Sequence, residues 1–195
     1  MEASKGQDMA GSYQMWVSTN SSIPKPSVSP DMSKAALLLG SNLGNRQENL
    51  SNALSFIEKN AGIIEKKSSL YQTAPWGMLD QDDFLNQAVL IKTSLPPQQL
   101  LKQLLDIEIM LGRERLEKWG PRIIDIDILY YDSEIIDEKD LKVPHPFLQE
   151  RRFSLVPLNE ISPDWVHPAL HKSVNQMLAD CLDRGEVVKF EEHRQ

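Results

Sequence analysis

Two aspartates in the middle of the chain are the clearest candidates for chemistry. Asp125 and Asp127 interrupt a β-branched stretch with the sequence I-I-D-I-D-I-L. Because strand side chains alternate between faces, both carboxylates are predicted to point to one side and the isoleucines to the other. Carboxylates about 6–7 Å apart along a strand can embrace one divalent cation or flank a pair of cations. The same pattern is also typical of the solvent face of a half-buried strand, so it leaves two interpretations open.

Arginines surround this pair in the sequence. The stretch 112–120, G-R-E-R-L-E-K-W-G, carries Arg113, Arg115 and Trp119, and Arg122 follows it directly. Guanidinium groups that meet phosphate oxygens are what the transfer of phosphoryl-type groups requires. Mixed charge is equally typical of a solvated loop. The position of this stretch beside the two aspartates favours the phosphate interpretation.

A carboxylate also falls on the apolar side of a predicted helix. The helix begins at the proline pair 96–97 and ends at the glycine at 112. Its apolar stripe consists of Leu100, Leu101, Leu104, Ile107 and Leu111. At about 100° per residue, Glu108 lies inside this stripe. A carboxylate facing the core needs a partner or a ligand, unless the stripe has already reached solvent at the helix end.

Two further segments could bind a flat or an anionic ligand. A predicted strand at 84–93 places Phe84 and Asn86 on one face, and a ring beside an amide suits a planar heterocycle. Edge packing is the alternative for a half-exposed phenylalanine. The apolar strand 35–39 leads through G-S-N-L-G-N-R into a helix, an arrangement that can present backbone N–H groups to an anion. The G-K-[S/T] ending of a Walker A loop is missing, so this segment also fits an ordinary turn.

A third candidate segment lies near residue 145. His145 has a proline on each side, which fixes the local backbone and limits where the imidazole can point. A predicted helix start follows, and it carries Arg151 and Phe153.

Composition limits the class of protein. The chain has 195 residues, a net charge of −7 and one cysteine, Cys181. A general binder of nucleic acid is therefore not expected, and an intrachain disulfide is excluded. No apolar run approaches the roughly 18 residues of a membrane span, so a cytoplasmic protein without membrane partners is predicted. We expect a disordered leader or tag at 1–33, one domain at 34–182 and a charged tail at 183–195.

The predicted elements follow the order β-α-β-β-α-β up to about residue 143. Strands and helices that intermix in this way indicate an α+β fold, with helices covering one face of a mainly antiparallel sheet.

Four motifs in this order resemble one known family. They are G-S-N-L-G-N-R, F-L-N-Q, G-R-x-R-x-x-K-W-G-P-R-x-x-D-x-D-I and V-P-H-P-x-x-x-x-R-x-F. Over about residues 35–168 the chain resembles the 6-hydroxymethyl-7,8-dihydropterin pyrophosphokinases (HPPK). The resemblance implies a ferredoxin-like α/β sandwich that acts as a monomer. It also implies transfer of the terminal diphosphate of ATP to the pterin hydroxymethyl group in folate biosynthesis, with release of AMP.

The resemblance also implies roles for individual residues. Catalytic roles fall to Arg113, Arg122, Asp125 and Asp127, and the two aspartates would hold two Mg²⁺ ions. The implied nucleotide-binding residues are Glu108, Arg115, Trp119, Ile128, His145 and Arg151. The implied pterin-binding residues are Gly40, Asn42, Thr73, Ala74, Trp76, Phe84, Asn86 and Phe153.

The chain departs from the family pattern at three places. Phe84 stands where some members have tyrosine, and the segment 113–119 is one residue shorter than in the best-known member. Asp140 stands where some members have an arginine, with Lys142 as a nearby cation. Two other functions fit the same residues less well. One is an inert ferredoxin-like module that binds a nucleotide or metabolite. The other is a two-metal phosphodiesterase or nuclease, for which the acidic composition is unfavourable.

Overall fold

The computed structural model describes residues 32–75, 81–113 and 121–191. The predictions for residues 1–31, Trp76, Arg115, Trp119 and 192–195 fall outside these ranges. The strands are β1 Ser33–Ser41, β2 Ile63–Lys67, β3 Tyr71–Thr73, β4 Phe84–Thr93, β5 Asp125–Tyr131, β6 Ile136–Asp137, β7 Lys142–Val143 and β8 Val187–Lys189. The helices are α1 Arg46–Asn60, α2 Pro97–Met110, α3 Arg152–Ile161 and α4 Val174–Asp180.

Six strands of the described residues form one antiparallel sheet. Its order is β5-β1-β4-β3-β8, and β2 also pairs with β4. The predicted second strand is split into β2 and β3 at Ser68. The Ser68 hydroxyl accepts a hydrogen bond from the N–H of Ala88, which replaces a regular ladder contact. Counting β2 and β3 as one interrupted strand, the topology is β-α-β-β-α-β with β5 and β4 on either side of β1. The predicted ferredoxin-like fold is therefore confirmed.

Helices cover both faces of this sheet. Alternate residues of β1 are buried against α1 and α2, namely Ala35, Leu37 and Leu39. The intervening residues Ala36 and Leu38 face α3 and α4 on the other side. The residue pattern up to about residue 143 indicated helices over one face, and the structure adds helices on the other face. The elements after residue 144 supply the second layer, and the strand pattern of β1 is accordingly apolar on both faces.

The ends of the first two helices follow from their sequences. Asn45 caps α1, since its side-chain oxygen accepts from the N–H of Glu48 at 3.3 Å. The C-cap of α1 is Ala61, in a right-handed conformation, so Gly62 is not needed to end the helix. Gly62 is required for another reason, because a Cβ there would lie 2.3 Å from the Lys92 carbonyl oxygen. Gly112, with φ +89°, ends the turn after α2 as predicted.

The C-terminal segment departs from its prediction. The helix α4 spans Val174–Asp180 and begins at a capping box formed by Ser173 and Gln176. Part of the predicted tail forms β8, which pairs with β3 at the sheet edge. The domain therefore extends past residue 182. In the described ranges, no helix has the length and apolar character needed to cross a membrane.

Candidate active site

The strand register places the key residues in one row across the sheet. Asp125 on β5 lies opposite Gly40 on β1, and Gly40 lies opposite Asn86 on β4. One step along, Asp127 lies opposite Leu38. Paired residues of adjacent strands point to the same side of a sheet. The two aspartates therefore share one face, as the sequence predicted, and the amide of Asn86 lies on the same face.

Gly40 keeps the floor of this row open. A Cβ at this position would lie 2.9 Å from Asn86 Oδ1 and 3.7 Å from the Phe84 ring. Any larger residue would therefore displace the amide.

The strand alternation at β5 also matches the prediction. Ile124, Ile126 and Ile128 are at most 5% exposed and belong to the core beneath α1 and α2. Asp125 and Asp127 are half-buried and open into the clefts described below. They do not form a fully solvated face.

Glu108 is buried and lies at the centre of an ionic network. Its side chain is 2% exposed, and its Oε1 accepts from the N–H of Ile126 at 2.7 Å. The same oxygen lies 2.5 Å from Arg113 Nη1, which also contacts Asp125 Oδ1 at 2.6 Å. Arg122 Nη1 contacts the other oxygen of Asp125 at 2.5 Å. The end of α2 and the start of β5 are thus joined by alternating charges.

Burial controls the protonation of these groups. Burial raises the pKa of the Glu108 carboxyl more strongly than the adjacent Arg113 lowers it. Burial lowers the pKa of Arg113, but the carboxylates of Asp125 and Glu108 raise it overall. For Asp127, burial reinforced by the charge of Asp125 raises the pKa to about 7. An additional positive charge in the site would therefore favour the ionised form of Asp127.

A second group of contacts surrounds Arg151. Its guanidinium lies 5.2 Å from the centre of the Phe147 ring and 5.6 Å from that of Phe153. Arg151 Nη1 lies 3.5 Å from His145 Nε2. Burial, together with the charge of Arg151, lowers the pKa of His145 to about 4. The imidazole is therefore neutral at physiological pH, and its Nδ1 accepts from the N–H of Phe147 at 3.3 Å.

Two clefts open on either side of the aspartates. The first, here the aromatic cleft, is lined by Leu38, Gly40, Thr73, Ala74, Gln81, Phe84, Asn86, Arg122, Asp125, Asp127, Arg151 and Phe153. The second, here the charged cleft, includes Glu108, Arg113, Asp125, Asp127, Ile128, Lys139, Asp140, Lys142 and His145. Asp125 and Asp127 line both clefts. Ligands bound in the two clefts would meet at these carboxylates.

Most of the expected site residues line one of the two clefts. Arg151, expected with the nucleotide residues, lines the aromatic cleft. Asn42 lines neither cleft and is 1% exposed. Its Oδ1 accepts from the N–H of Arg122 at 2.8 Å, and its Nδ2 donates to Gln81 Oε1 at 3.1 Å. Asn42 therefore joins two segments beside the aromatic cleft instead of forming part of its wall.

Sequence reasoning missed several residues in or beside the clefts, of which three are instructive. Gln81 lines the aromatic cleft, but the acidic stretch around it has neither helix nor strand periodicity that could have indicated this. Leu38 also lines it, and the period of two from Gly40 could have indicated this. Phe147 contacts Arg151 across a single 3₁₀ turn, Leu148–Glu150, which the sequence did not indicate.

The donor set suits a cation that brings other ligands with it. In ranges 32–75, 81–113 and 121–191, no group of three or more His, Cys, Asp or Glu side chains is placed to hold a metal ion. Asp125 and Asp127 are the carboxylates that both clefts share. Mg²⁺ typically takes one or two protein carboxylates and completes its octahedron with water and phosphate oxygens. These two residues fit that pattern.

Comparison with known proteins decides the family. A family model described as 7,8-dihydro-6-hydroxymethylpterin-pyrophosphokinase (HPPK) matches residues 36–163. The chain belongs to the HPPK family. A 2-amino-4-hydroxy-6-hydroxymethyldihydropteridine pyrophosphokinase of Methylorubrum extorquens is 48% identical over 136 residues, which cover 69% of this chain and 86% of that protein. The Aquifex aeolicus enzyme of the same name is 45% identical over 145 residues, with 74% and 90% coverage.

A solved structure agrees in fold. The HPPK-DHPS of Plasmodium falciparum matches with a TM-score of 0.64 at 19% identity, over 76% of this chain and 44% of that one. This likeness supports the fold. Membership of the HPPK family makes the chain an enzyme, a pyrophosphokinase of folate biosynthesis, in preference to an inert binding module.

Proposed function

We propose that the enzyme transfers the terminal diphosphate of ATP to the hydroxymethyl oxygen of 6-hydroxymethyl-7,8-dihydropterin and releases AMP. The observation that carries this proposal is the position of Asp125 and Asp127, which line the aromatic cleft and the charged cleft together. A reaction between two bound substrates needs one point at which both are held and charge is stabilised.

The pterin would occupy the aromatic cleft. Phe84 and Phe153 line it and can stack on a planar ring system, while Asn86 can read the edge of that ring. The Asn86 amide is already oriented, because its Nδ2 donates to Thr73 Oγ1 at 2.8 Å. Its Oδ1 can accept a hydrogen bond from a pterin N–H group. Ala74 and Trp76 are proposed as further contacts, the latter on the resemblance alone.

ATP would occupy the charged cleft. Glu108, Arg113, Ile128 and His145 line it, and the imidazole of His145 adds no positive charge there. Lys142 also lines this cleft, where it supplies a cation near Asp140. Arg115 and Trp119 are proposed on the resemblance to close over the phosphates.

Two Mg²⁺ ions would be held by Asp125 and Asp127 together with phosphate oxygens of ATP. Such ions neutralise phosphate charge and stabilise the attacking and leaving oxygens. Arg113 and Arg122 engage the two oxygens of Asp125. When ATP enters, its phosphates offer these guanidinium groups a more highly charged partner, which frees the carboxylate oxygens. Phosphate binding and release of Asp125 are thus coupled.

The transfer itself needs no nucleophile from the protein. The pterin hydroxymethyl oxygen attacks the β-phosphorus of ATP as the bond from that phosphorus to the oxygen bridging the α-phosphate breaks. AMP leaves with the bridging oxygen, and the hydroxyl proton passes to solvent. Arg113 and Arg122 stabilise charge on the phosphate oxygens, and the two clefts hold the reacting atoms in line.

Product analysis tests this reaction. The protein is incubated with ATP, Mg²⁺ and the hydroxymethyl-dihydropterin, and nucleotides are separated by chromatography. We expect AMP in proportion to the pterin consumed and none without pterin. ADP as the product, or AMP that forms equally without pterin, would contradict the proposal. Phosphodiester hydrolysis of a model nucleic acid under the same conditions would favour the nuclease alternative.

Metal binding can be tested separately from turnover. Two protein carboxylates alone make a weak Mg²⁺ site, so we expect titration calorimetry to detect tight binding only when an unreactive ATP analogue is present. Tight Mg²⁺ binding to the nucleotide-free protein would contradict the proposed metal site.

We further propose that the enzyme acts as a monomer in the cytoplasm, on small molecules and without nucleic acid or membrane partners. The net charge of −7 and the single buried cysteine support this. Light scattering after gel filtration would reveal a dimer, and fluorescence imaging of a tagged chain would reveal another compartment.

A further inference from the structure

Glu160, outside both clefts, ties together two elements that carry the aromatic cleft. It lies in the last turn of α3 and accepts hydrogen bonds from a segment about ninety residues earlier. Its Oε2 accepts from the N–H of Ser69 at 2.8 Å and from Tyr71 Oη at 3.0 Å. Its Oε1 accepts from Ser69 Oγ at 2.8 Å. Three donors from residues 69–71 thus converge on one carboxylate.

The helix that carries Glu160 also carries Phe153, one wall of the aromatic cleft. The two residues are seven positions apart in α3, Arg152–Ile161. Seven residues make about two turns, so both side chains project from nearly the same side of the helix, about 10 Å apart. The side of α3 that presents Phe153 to the cleft therefore presents Glu160 to the start of β3.

The opposite wall depends on β3. This strand has three residues, and its ladder pairs Thr73 with Phe84 and Tyr71 with Asn86. Thr73 also lines the cleft and accepts the hydrogen bond from Asn86. A strand this short gains little from its own ladder, so its position depends on contacts made at its ends.

The protonation states of Glu160 and Tyr71 favour a hydrogen bond between them at physiological pH. Burial raises the pKa of Glu160, but hydrogen bonds from Ser69 and Tyr71 lower it overall. Burial, together with the Glu160 carboxylate, raises the pKa of Tyr71 to about 12. At physiological pH an anionic acceptor therefore faces neutral donors, which is a strong form of hydrogen bond.

We propose that Glu160 is a positioning residue that holds β3 against α3 and thereby sets the separation of Phe84 and Phe153. A continuous series of contacts connects the two rings. It runs from Phe153 along α3 to Glu160, through Tyr71 and β3 to Thr73, and across the ladder to Phe84. The ligand that would bind between these rings is the pterin, so the inference rests on the proposed function. None of the residues in this series lines the charged cleft.

Kinetics of Glu160→Ala and Glu160→Gln test this role. We expect the KM for the pterin to rise about tenfold in the alanine variant, because loss of a few hydrogen bonds is of that size. The glutamine variant keeps one acceptor oxygen and should fall in between. The KM for ATP and kcat should change less than about twofold. The control is Glu65→Ala, which removes an exposed ion pair with Lys92 at 2.6 Å in the same sheet.

A purely structural role predicts another result. It would lower the Tm and the amount of active enzyme while both KM values stayed unchanged, and that result would overturn the proposal. A parallel rise in both KM values would also overturn it. An active wild type with an unaffected Glu160→Ala contradicts this inference alone. A wild type that releases no pterin-dependent AMP contradicts the proposed function instead.

Milder variants cover the case in which Glu160→Ala does not fold. Tyr71→Phe and Ser69→Ala each remove donors to Glu160 and leave its charge in place. Each should raise the pterin KM about two- to threefold, with the ATP KM unchanged. Unchanged pterin KM values in both variants would overturn the proposal.

Discussion

The aromatic cleft and the charged cleft meet at the same aspartates but are built differently. The first takes Gly40, Phe84 and Asn86 from neighbouring strands whose register fixes their relative positions. The second takes Glu108 from a helix and Arg113 from the turn after it. Ionic contacts of Arg113, together with the hydrogen bond from the N–H of Ile126 to Glu108, align this segment with β5. One cleft is positioned by backbone hydrogen bonds and the other by charged side chains.

This difference suits the two ligands. A neutral, planar pterin gains from rigid walls at a fixed separation, because preorganisation reduces the entropy cost of binding. A nucleotide with several phosphate charges gains from guanidinium groups that can exchange one anionic partner for another. The contrast predicts that substitutions in the two clefts will affect different kinetic constants.

The largest effect on catalysis is expected at the aspartates, because both clefts share them. Asp127→Asn should lower kcat about a thousandfold, because it removes charge that holds the metal and stabilises the transition state. Pterin binding, measured by fluorescence, should change less than about threefold. Asp180→Asn, which removes an exposed partner of Lys172, is the matched control. A change in kcat below about tenfold would exclude Asp127 from the reaction.

The second effect should be confined to the aromatic cleft. Asn86→Ala removes the amide held by Thr73 and should raise the pterin KM about ten- to thirtyfold, since a buried polar contact is lost. The ATP KM should stay within about twofold. Asn60→Ala, at the exposed end of α1, serves as the control in the same assay. An equal rise in both KM values would show that the clefts are not independent.

The third effect should be confined to the charged cleft. Glu108→Gln keeps an acceptor for the N–H of Ile126 but removes the charge that orients Arg113. We expect the ATP KM to rise about five- to tenfold and the pterin KM to remain unchanged. Asp106→Asn on the same helix breaks an exposed pair with Lys102 and should alter neither constant. A selective rise in the pterin KM would reverse the assignment of the two clefts.

The smallest effect concerns acid stability at His145. Its native pKa is about 4, below the ordinary value of about 6.5 that applies to the unfolded chain. The unfolded state therefore takes up a proton first as the pH falls, and stability is lost between about pH 6.5 and pH 4. His145→Gln should lose about 1–2 kcal/mol less than the wild type between pH 7 and pH 4.5 in urea unfolding. Equal losses would show that His145 titrates normally.

Patterns of period two were sufficient to predict much of the aromatic cleft. The bounds of β4 and the shared face of Phe84 and Asn86 follow from one uninterrupted strand. The same rule predicted that Asp125 and Asp127 point together. Such features depend on local chain geometry alone, so the sequence carries them directly.

Non-local contacts account for what could not be predicted. The resemblance implied a pterin-binding role for Asn42, whereas its side chain contacts Arg122 and Gln81, about eighty and forty positions away. The residues of β8 were predicted to belong to a charged tail. They form a strand only because they pair with β3, and so short a segment has no strand pattern of its own. Whether Glu108 would be buried also depended on Ile126 and Arg113, neither of which the helix periodicity reveals.

The most direct test of the account follows the phosphates of ATP. The enzyme is supplied with Mg²⁺, the pterin and ATP labelled at the β-phosphate, and the products are separated after a single turnover. Attack at the β-phosphorus predicts that all transferred label leaves with the pterin and that the AMP is unlabelled. Label retained on ADP would show attack at the γ-phosphorus and would contradict the proposed meeting of the two clefts at the aspartates.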